Sequence, residues 1–163
     1  MSVKTAFPTP DHDHAQCVSD ALTRAEEACD ERGRRLTPLR RRVLEVLAGS
    51  HMPVGAYDIV DRLSRMNDAA PAMSVYRALD FLVSEGLAHR IESRNAFLAC
   101  SRGHASDEVV VFLLCERCST VAEVKSDAVG RDLARAAGAV GFEAHAPVLE
   151  INGLCERCRA QAR

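Results

Sequence analysis

The sequence predicts an α+β fold: an N-terminal winged helix-turn-helix followed by a small α/β unit. Three observations predict it. Apolar residues recur at helical spacing as far as Gly86, the period then shortens to two over Leu87–Cys100, and two matching Cys-x-x-Cys pairs lie in the last third of the chain. A length of 163 residues suits one ordinary domain or two small ones. A composition that is 47% hydrophobic and 27% charged is that of a globular chain able to bury a core. With no Trp and few aromatics, that core must be aliphatic.

Residues 1–17 are polar, Pro-containing and aperiodic, and are expected to form a disordered tail. His12 and His14 lie there in the string PDHDH; nothing in the tail preorganises them, so no defined role is expected of either. From Ser19 to Arg32, Leu22, Ala25 and Cys29 repeat at helical spacing, Cys29 as a small core residue, and Gly33 is placed to end the helix. A second helix opens with Thr37 as N-cap and Pro38 at its first position, burying Val43, Leu44 and Leu47. A third, Ala56–Met66, buries Ile59, Val60 and Leu63. The fourth starts near Pro71, buries Val75, Ala78, Leu79 and Leu82, and stops at Gly86.

Two strands follow, Leu87–Glu92 and Ala96–Cys100, joined by Ser93-Arg94-Asn95, a hairpin signal. Helices followed by a two-stranded hairpin make a winged helix-turn-helix. Further strands are expected at Val109–Cys115 and Val121–Val124, a helix near Asp127–Val140, and short strands at Phe142–Ala144 and Val148–Ile151. A domain boundary therefore falls between about residues 93 and 106, giving a DNA-binding domain over 18–100 and a second domain over 101–163. No internal repeat is visible.

The N-terminus lacks an apolar stretch and a cleavage signature, and the longest apolar run, Val109–Cys115, is far too short to span a bilayer. A cytoplasmic protein without membrane partners is expected. Net charge is −2, so the whole molecule does not advertise nucleic-acid binding, yet six arginines stand against two glutamates between Glu31 and Glu45. On charge alone a solvated helix face is the preferred explanation of that patch. Seven cysteines in a chain read as leaderless point to metal rather than to a disulfide framework.

Cys115-Glu-Arg-Cys118 and Cys155-Glu-Arg-Cys158 share their internal spacing, with 36 residues between them. Each turn places two thiolates on one side of a metal, and two turns complete the closed tetrahedral geometry of structural zinc. A single such pair would leave redox chemistry open. No coordination position remains for catalysis, so the expected role is to tie the C-terminal end back onto the preceding strands. A second set is weaker residue by residue: His89 and Cys100 on the wing strands, His104 and Glu108 just after them, and Glu123 eight residues past Cys115. A lone strand histidine is more often satisfied by ordinary hydrogen bonds. Together, however, these form a mixed His/Cys/carboxylate set, and the soft Cys100 thiolate favours zinc over iron or manganese.

With Val75, Leu79 and Leu82 facing inward, Arg77 points roughly opposite. An outward arginine on the second helix of a helix-turn-helix can pair with guanine O6 and N7 in the major groove, and Tyr76 at the flank suits a phosphate or a thymine methyl. An enzymatic reading, that of a zinc nucleobase deaminase, fails on its own motif. It needs H-x-E followed by P-C-x-x-C, whereas His89 precedes Arg90-Ile91, His104 precedes Ala105-Ser106, and Leu114 precedes Cys115. No catalytic residue and no small-molecule substrate are expected.

RLTPLRRRVLEVL, APAMSVYRALDFLVSEGLAHRIES, the two CERC pairs and EINGLCERC resemble the ferric uptake regulator family, and most closely its zinc uptake regulators. The resemblance runs from about residue 20 to 160 with its motifs in order. It implies a homodimeric, metal-activated transcriptional repressor, the second domain serving dimerisation, with operators before zinc-acquisition genes. It implies that Cys115, Cys118, Cys155 and Cys158 hold structural zinc and that His89, Cys100 and Glu123 fall on sensing positions, two zinc ions per protomer in all. It adds Tyr57 and Arg40 as DNA-facing residues.

The chain departs from the family pattern twice. Zinc regulators carry a His close before the first Cys-x-x-Cys strand; here the position seven residues before Cys115 is Glu108, and the nearest His is His104. Imidazole suits zinc, Gly103 and Ser106 permit bends, and Cys100 with Glu123 already neutralises Zn²⁺, so His104 is expected as the fourth sensing ligand, with Glu108 the alternative. Many relatives also carry a His-rich cluster there and another His before the last strand, where this chain has Ala146 with His145 beside it. The family's third metal site is therefore not expected, and His145 is read as structural. Two other readings stay open: an iron, manganese or peroxide sensor of the same family, and a zinc-stapled interaction module that does not bind DNA.

Overall fold

The computed structural model describes residues 7–8, 13–101, 109–144 and 148–161. The chain divides into two compact units, residues 10–103, and residues 104–163 together with 1–9.

The first unit contains four helices, α1 (His14–Glu31), α2 (Pro38–Ala48), α3 (Ala56–Arg65) and α4 (Ala72–Ser84), and the hairpin strands β1 (Ala88–Ile91) and β2 (Ala96–Ala99). Helix α1 begins at His14, ahead of the Ser19 start that apolar periodicity indicates. Asp13 supplies the reason: its carboxylate accepts the Ala15 N–H at 2.9 Å and caps the helix. Thr37 caps α2 as its sequence suggests, with Pro38 in the first turn. The apolar stripes meet in one core in which Ala25, Val43, Leu47, Ile59, Leu63, Val75, Leu79 and Leu82 have no solvent exposure. Val60 is only half-buried at its edge. Leu79→Ala leaves a cavity among four helices and is expected to cost about 2–5 kcal/mol, read as a lower denaturant midpoint at unchanged slope.

The hairpin register pairs Ala88 with Ala99 through Ile91 with Ala96. Between the strands lie one 3₁₀ turn, Glu92–Arg94, and Asn95 in the left-handed region at φ 45°. Val54, just before α3, extends this small sheet: its N–H donates to Phe97 O at 2.8 Å and the Phe97 N–H donates back at 2.9 Å. The wing is thereby anchored to the start of the helix-turn-helix.

The second unit contains β3 (Val110–Cys115), β4 (Val121–Lys125), α5 (Asp127–Ala139), β5 (Val148–Gly153) and α6 (Glu156–Ala160). The strand order is β4-β3-β5, with β3 antiparallel to β4 and parallel to β5. Parallel neighbours need a crossover, and α5 lies in it, capped by Ser126. Gly130 on α5 meets the start of β3 so closely that a Cβ there would lie 2.8 Å from Val109 Cγ2. The strand expected at Phe142–Ala144 is not one. Gly141, at φ 72°, ends α5, and the Phe142 N–H returns to Ala137 O at 3.0 Å, so these residues close the helix instead of pairing in a sheet. Helix α6, five residues long, is too short to show an apolar period and has no counterpart in the sequence reading.

Candidate metal centres and nucleic-acid interface

Parallel pairing of β3 with β5 explains how cysteines 40 residues apart in sequence converge. The register sets Cys115 at the end of β3 opposite Gly153 at the end of β5, two residues before Cys155. Cys118 lies in the β3–β4 turn, which closes through the Ser119 N–H to Cys115 O at 3.0 Å with Ser119 at φ 60°. Cys155 is the N-cap of α6 and Cys158 lies within it. The four Sγ atoms all lie within 4.8 Å of one another, and Cys118 Sγ is 3.8 Å from Cys155 Sγ. Tetrahedral zinc with Zn–S bonds near 2.3 Å requires sulfurs about 3.8 Å apart, so this donor set fits the ion.

The surrounding backbone prepares the thiolates. Burial disfavours the charged form of Cys115, but N–H groups of Cys118, Cys155 and Arg117 outweigh it and lower that thiol to about 6. One of them, the Cys155 N–H, lies 3.4 Å from Cys115 Sγ. Burial and the three neighbouring thiols push Cys158 the other way, up to about 12. Without a cation the cluster thus cannot ionise throughout; a divalent ion supplies the missing charge. Phe7 packs against the cluster from the N-terminal side.

On the wing, the hairpin register sets His89 opposite Leu98, which puts His89 and Cys100 on one face as diagonal neighbours. Their ligand atoms lie within 4.8 Å of each other. His89 is half-buried and Cys100 is buried, its backbone held by its N–H to Leu87 O at 3.0 Å and by Arg24 Nη2 to Cys100 O at 3.1 Å. In the second unit, Glu123 on β4 pairs with Phe112 on the central strand. At 9% exposure it is the buried carboxylate among the described residues. Burying an ionised carboxylate is costly unless charge or hydrogen bonds compensate it. His104 and Glu108, the two candidates for a fourth ligand, lie outside the described residues, as do His12 and His145.

Arg77 is exposed on α4, on the face opposite Val75, Leu79 and Leu82, and makes no ion pair among the described residues. Met73, one turn earlier, shares that face at 64% exposed; its i, i+4 spacing from Arg77 was the signal available in the sequence. Tyr57 on α3 is 73% exposed and meets the half-buried Tyr76 edge to face, ring centroids 6.4 Å apart. Arg40 sits differently from a free side chain: its guanidinium lies 3.4 Å over the Phe81 ring and donates to Arg35 O at 2.6 Å. Much of the basic patch is spent within the fold. Arg32 and Arg34 pair with Glu85, Arg41 with Glu26 and Glu45, and Arg42 with Glu45 and Asp68.

The family model described as the ferric uptake regulator family matches residues 31–152. The chain is 34% identical over 141 residues to the zinc uptake regulation protein of Escherichia coli (strain K12), covering 86% of this chain and 82% of that one. Among solved structures it is similar to a zinc uptake regulator complexed with zinc and DNA, at 32% identity and a TM-score of 0.81, covering 90% of this chain and 98% of that one. It is also similar to holo XcZur, at 41% identity and a TM-score of 0.79, covering 86% and 98%. With its helix-turn-helix, wing and cysteine cluster in sequence order, the chain belongs to the ferric uptake regulator family of metal-responsive, DNA-binding transcription regulators, and is not an enzyme.

Proposed function

We propose that this chain is a zinc-responsive transcriptional repressor that binds operator DNA as a homodimer in the cytoplasm and controls zinc uptake genes. The observation that carries the metal assignment is the wing's His89–Cys100 pair, an imidazole and a buried thiol within 4.8 Å on one hairpin face. Nitrogen and sulfur donors together select zinc over manganese and disfavour a purely nitrogen and oxygen iron site. The similarity to zinc uptake regulators supports the same choice.

In this reading two zinc ions bind per protomer. Cys115, Cys118, Cys155 and Cys158 keep one permanently. His89 and Cys100, with Glu123 and His104, hold the other reversibly. Ligands drawn from both units restrict the motion of the DNA-reading heads, so that both heads of a dimer fit half-sites on one duplex. Preferring the competent form by about 5.5 kcal/mol moves a 1:99 population to 99:1, a modest demand beside the roughly 10–16 kcal/mol that structural zinc supplies.

The surface of the second unit supports the dimer. Val140, Phe142, Val148, Ile151 and Leu154 are all at least 47% exposed, α5 buries no residue, and β5 is an edge strand six residues long. A long apolar edge of this kind needs covering, and a second copy of the unit does so.

The experiment uses a duplex selected from random DNA by the zinc-loaded protein. Binding followed by anisotropy is expected to tighten with buffered Zn²⁺ and not with Fe²⁺ or Mn²⁺ at matched saturation. Equal activation by Fe²⁺ or Mn²⁺ would overturn the zinc assignment. On the same duplex, Arg77→Ala is expected to cost about 1–3 kcal/mol and to relax selection at one base pair, leaving zinc content and dimerisation unchanged. Unaltered affinity removes Arg77 from the recognition surface.

A further inference from the structure

The first turns of α1 carry a chemistry that neither metal centre uses. His14 and Cys17 are three residues apart on α1 and share a face. Across from them, in the connection between α2 and α3, stands His51. Cys17 Sγ lies 4.0 Å from His51 Nε2, and the His14 and His51 rings are 5.0 Å apart, inclined at 39°. All three side chains are half-buried, reachable by an ion yet restrained by packing.

We propose that His14, Cys17 and His51 form a third, weaker metal site that takes Zn²⁺ and ties the start of α1 to the α2–α3 connection. Two imidazoles and a thiol are the donor types that zinc prefers. With Zn–S near 2.3 Å and Zn–N near 2.0–2.1 Å, tetrahedral geometry sets sulfur and nitrogen about 3.6 Å apart. The observed 4.0 Å between Cys17 Sγ and His51 Nε2 closes to that by a few tenths of an ångström, whereas His14, whose ring centroid is 5.0 Å from that of His51, must swing further to bring a nitrogen onto the ion, a rotation that half-buried groups permit. Three protein donors leave a fourth position for water, so the site is open and its ion more labile than one held by four thiolates. On binding, the Cys17 thiol forms the S–Zn bond and its proton passes to solvent.

The alternative of a redox-active cysteine fits poorly. Burial first, then the carboxylates of Asp20 and Asp13, push the Cys17 thiol above its ordinary value, the opposite of what a reactive thiolate needs. Those same carboxylates favour a cation nearby. The site shares no residue with the wing pair, and Arg24, whose charge acts on Cys17 against those carboxylates, holds Cys100 only by its backbone oxygen. It does not depend on the assignment of His89 and Cys100.

The test uses the full chain with its tightly bound zinc retained and Zn²⁺ alone as probe. Alkylation of Cys17 by iodoacetamide, followed by peptide mass spectrometry, is expected to slow at least tenfold when the weakest sites fill. In His51→Ala the slowing is expected to fall below twofold, and a competition titration should count one ion fewer per chain in the Cys17→Ser/His51→Ala double variant. His51→Gln replaces the alanine variant if that loses its helical signal. Absence of protection in the wild-type protein overturns the proposal without recourse to any variant. Protection that survives in both His14→Ala and His51→Ala overturns it equally, because the blocking ion then sits elsewhere.

Discussion

Cys155→Ser is expected to unfold the second unit while leaving the first intact. The substitution opens the four-cysteine cluster at the N-cap of α6, where the Cys155 N–H also steadies Cys115 Sγ. Structural zinc contributes on the order of 10–16 kcal/mol, as much as the whole stability of a typical domain, so residues 104–163 cannot remain folded once it leaves. The core of the first unit contains none of the four cysteines, and its cooperative transition should persist. Metal analysis and thermal unfolding by circular dichroism check both halves. A Cys155→Ser protein that keeps a full complement of tight zinc and a single wild-type transition contradicts the structural role.

Cys100→Ser should do the reverse. Cys100 lies past the end of β2, its backbone fixed by Leu87 and Arg24, so a serine can occupy the position with little disturbance to the hairpin. What changes is the donor, from a soft thiolate to a hydroxyl that does not ionise. The variant is expected to stay a folded dimer with one tight zinc per chain and to lose the gain in DNA affinity that zinc confers. If the competent form rises from about 1% to 99% on zinc binding, that gain is about 100-fold. Anisotropy with and without buffered zinc measures it; a retained gain removes Cys100 from the sensing set.

The parts legible in the sequence were those with a local physical cause. Thr37-Pro38 announces α2, and the spacing of Val75, Leu79 and Leu82 gives both the buried face of α4 and the outward direction of Arg77. The two Cys-x-x-Cys pairs told their own chemistry, though the parallel β3–β5 register that brings them together is a long-range fact no window contains. Elements were missed where a cap overrode periodicity. Asp13 starts α1 at His14 in a stretch that reads as a polar tail, and Gly141 turns Phe142 into the closure of α5 rather than the start of a strand. Likewise His14 gains a setting only because α1 carries it beside His51, a neighbour 37 positions away. The six arginines of 31–45 are visible as charge, and helical spacing shows that Arg41 and Arg42 can reach Glu45, but the pairing of Arg32, Arg34, Arg41 and Arg42 with Glu26, Asp68 and Glu85 is not visible, since those partners come from other parts of the chain.

In the proposed function, DNA binding follows the filling of a second zinc site on a protein whose first is already full. Counting bound zinc per chain and operator affinity in the same samples, along one series of buffered free zinc, tests it most directly. To separate the weaker His14/Cys17/His51 site, the series uses the Cys17→Ser/His51→Ala variant. One ion per chain with weak DNA binding is expected at the lowest free zinc, then a second ion taken up in step with a rise in affinity of about 100-fold. Affinity that is already maximal with one ion bound, or that stays flat as the second binds, contradicts it.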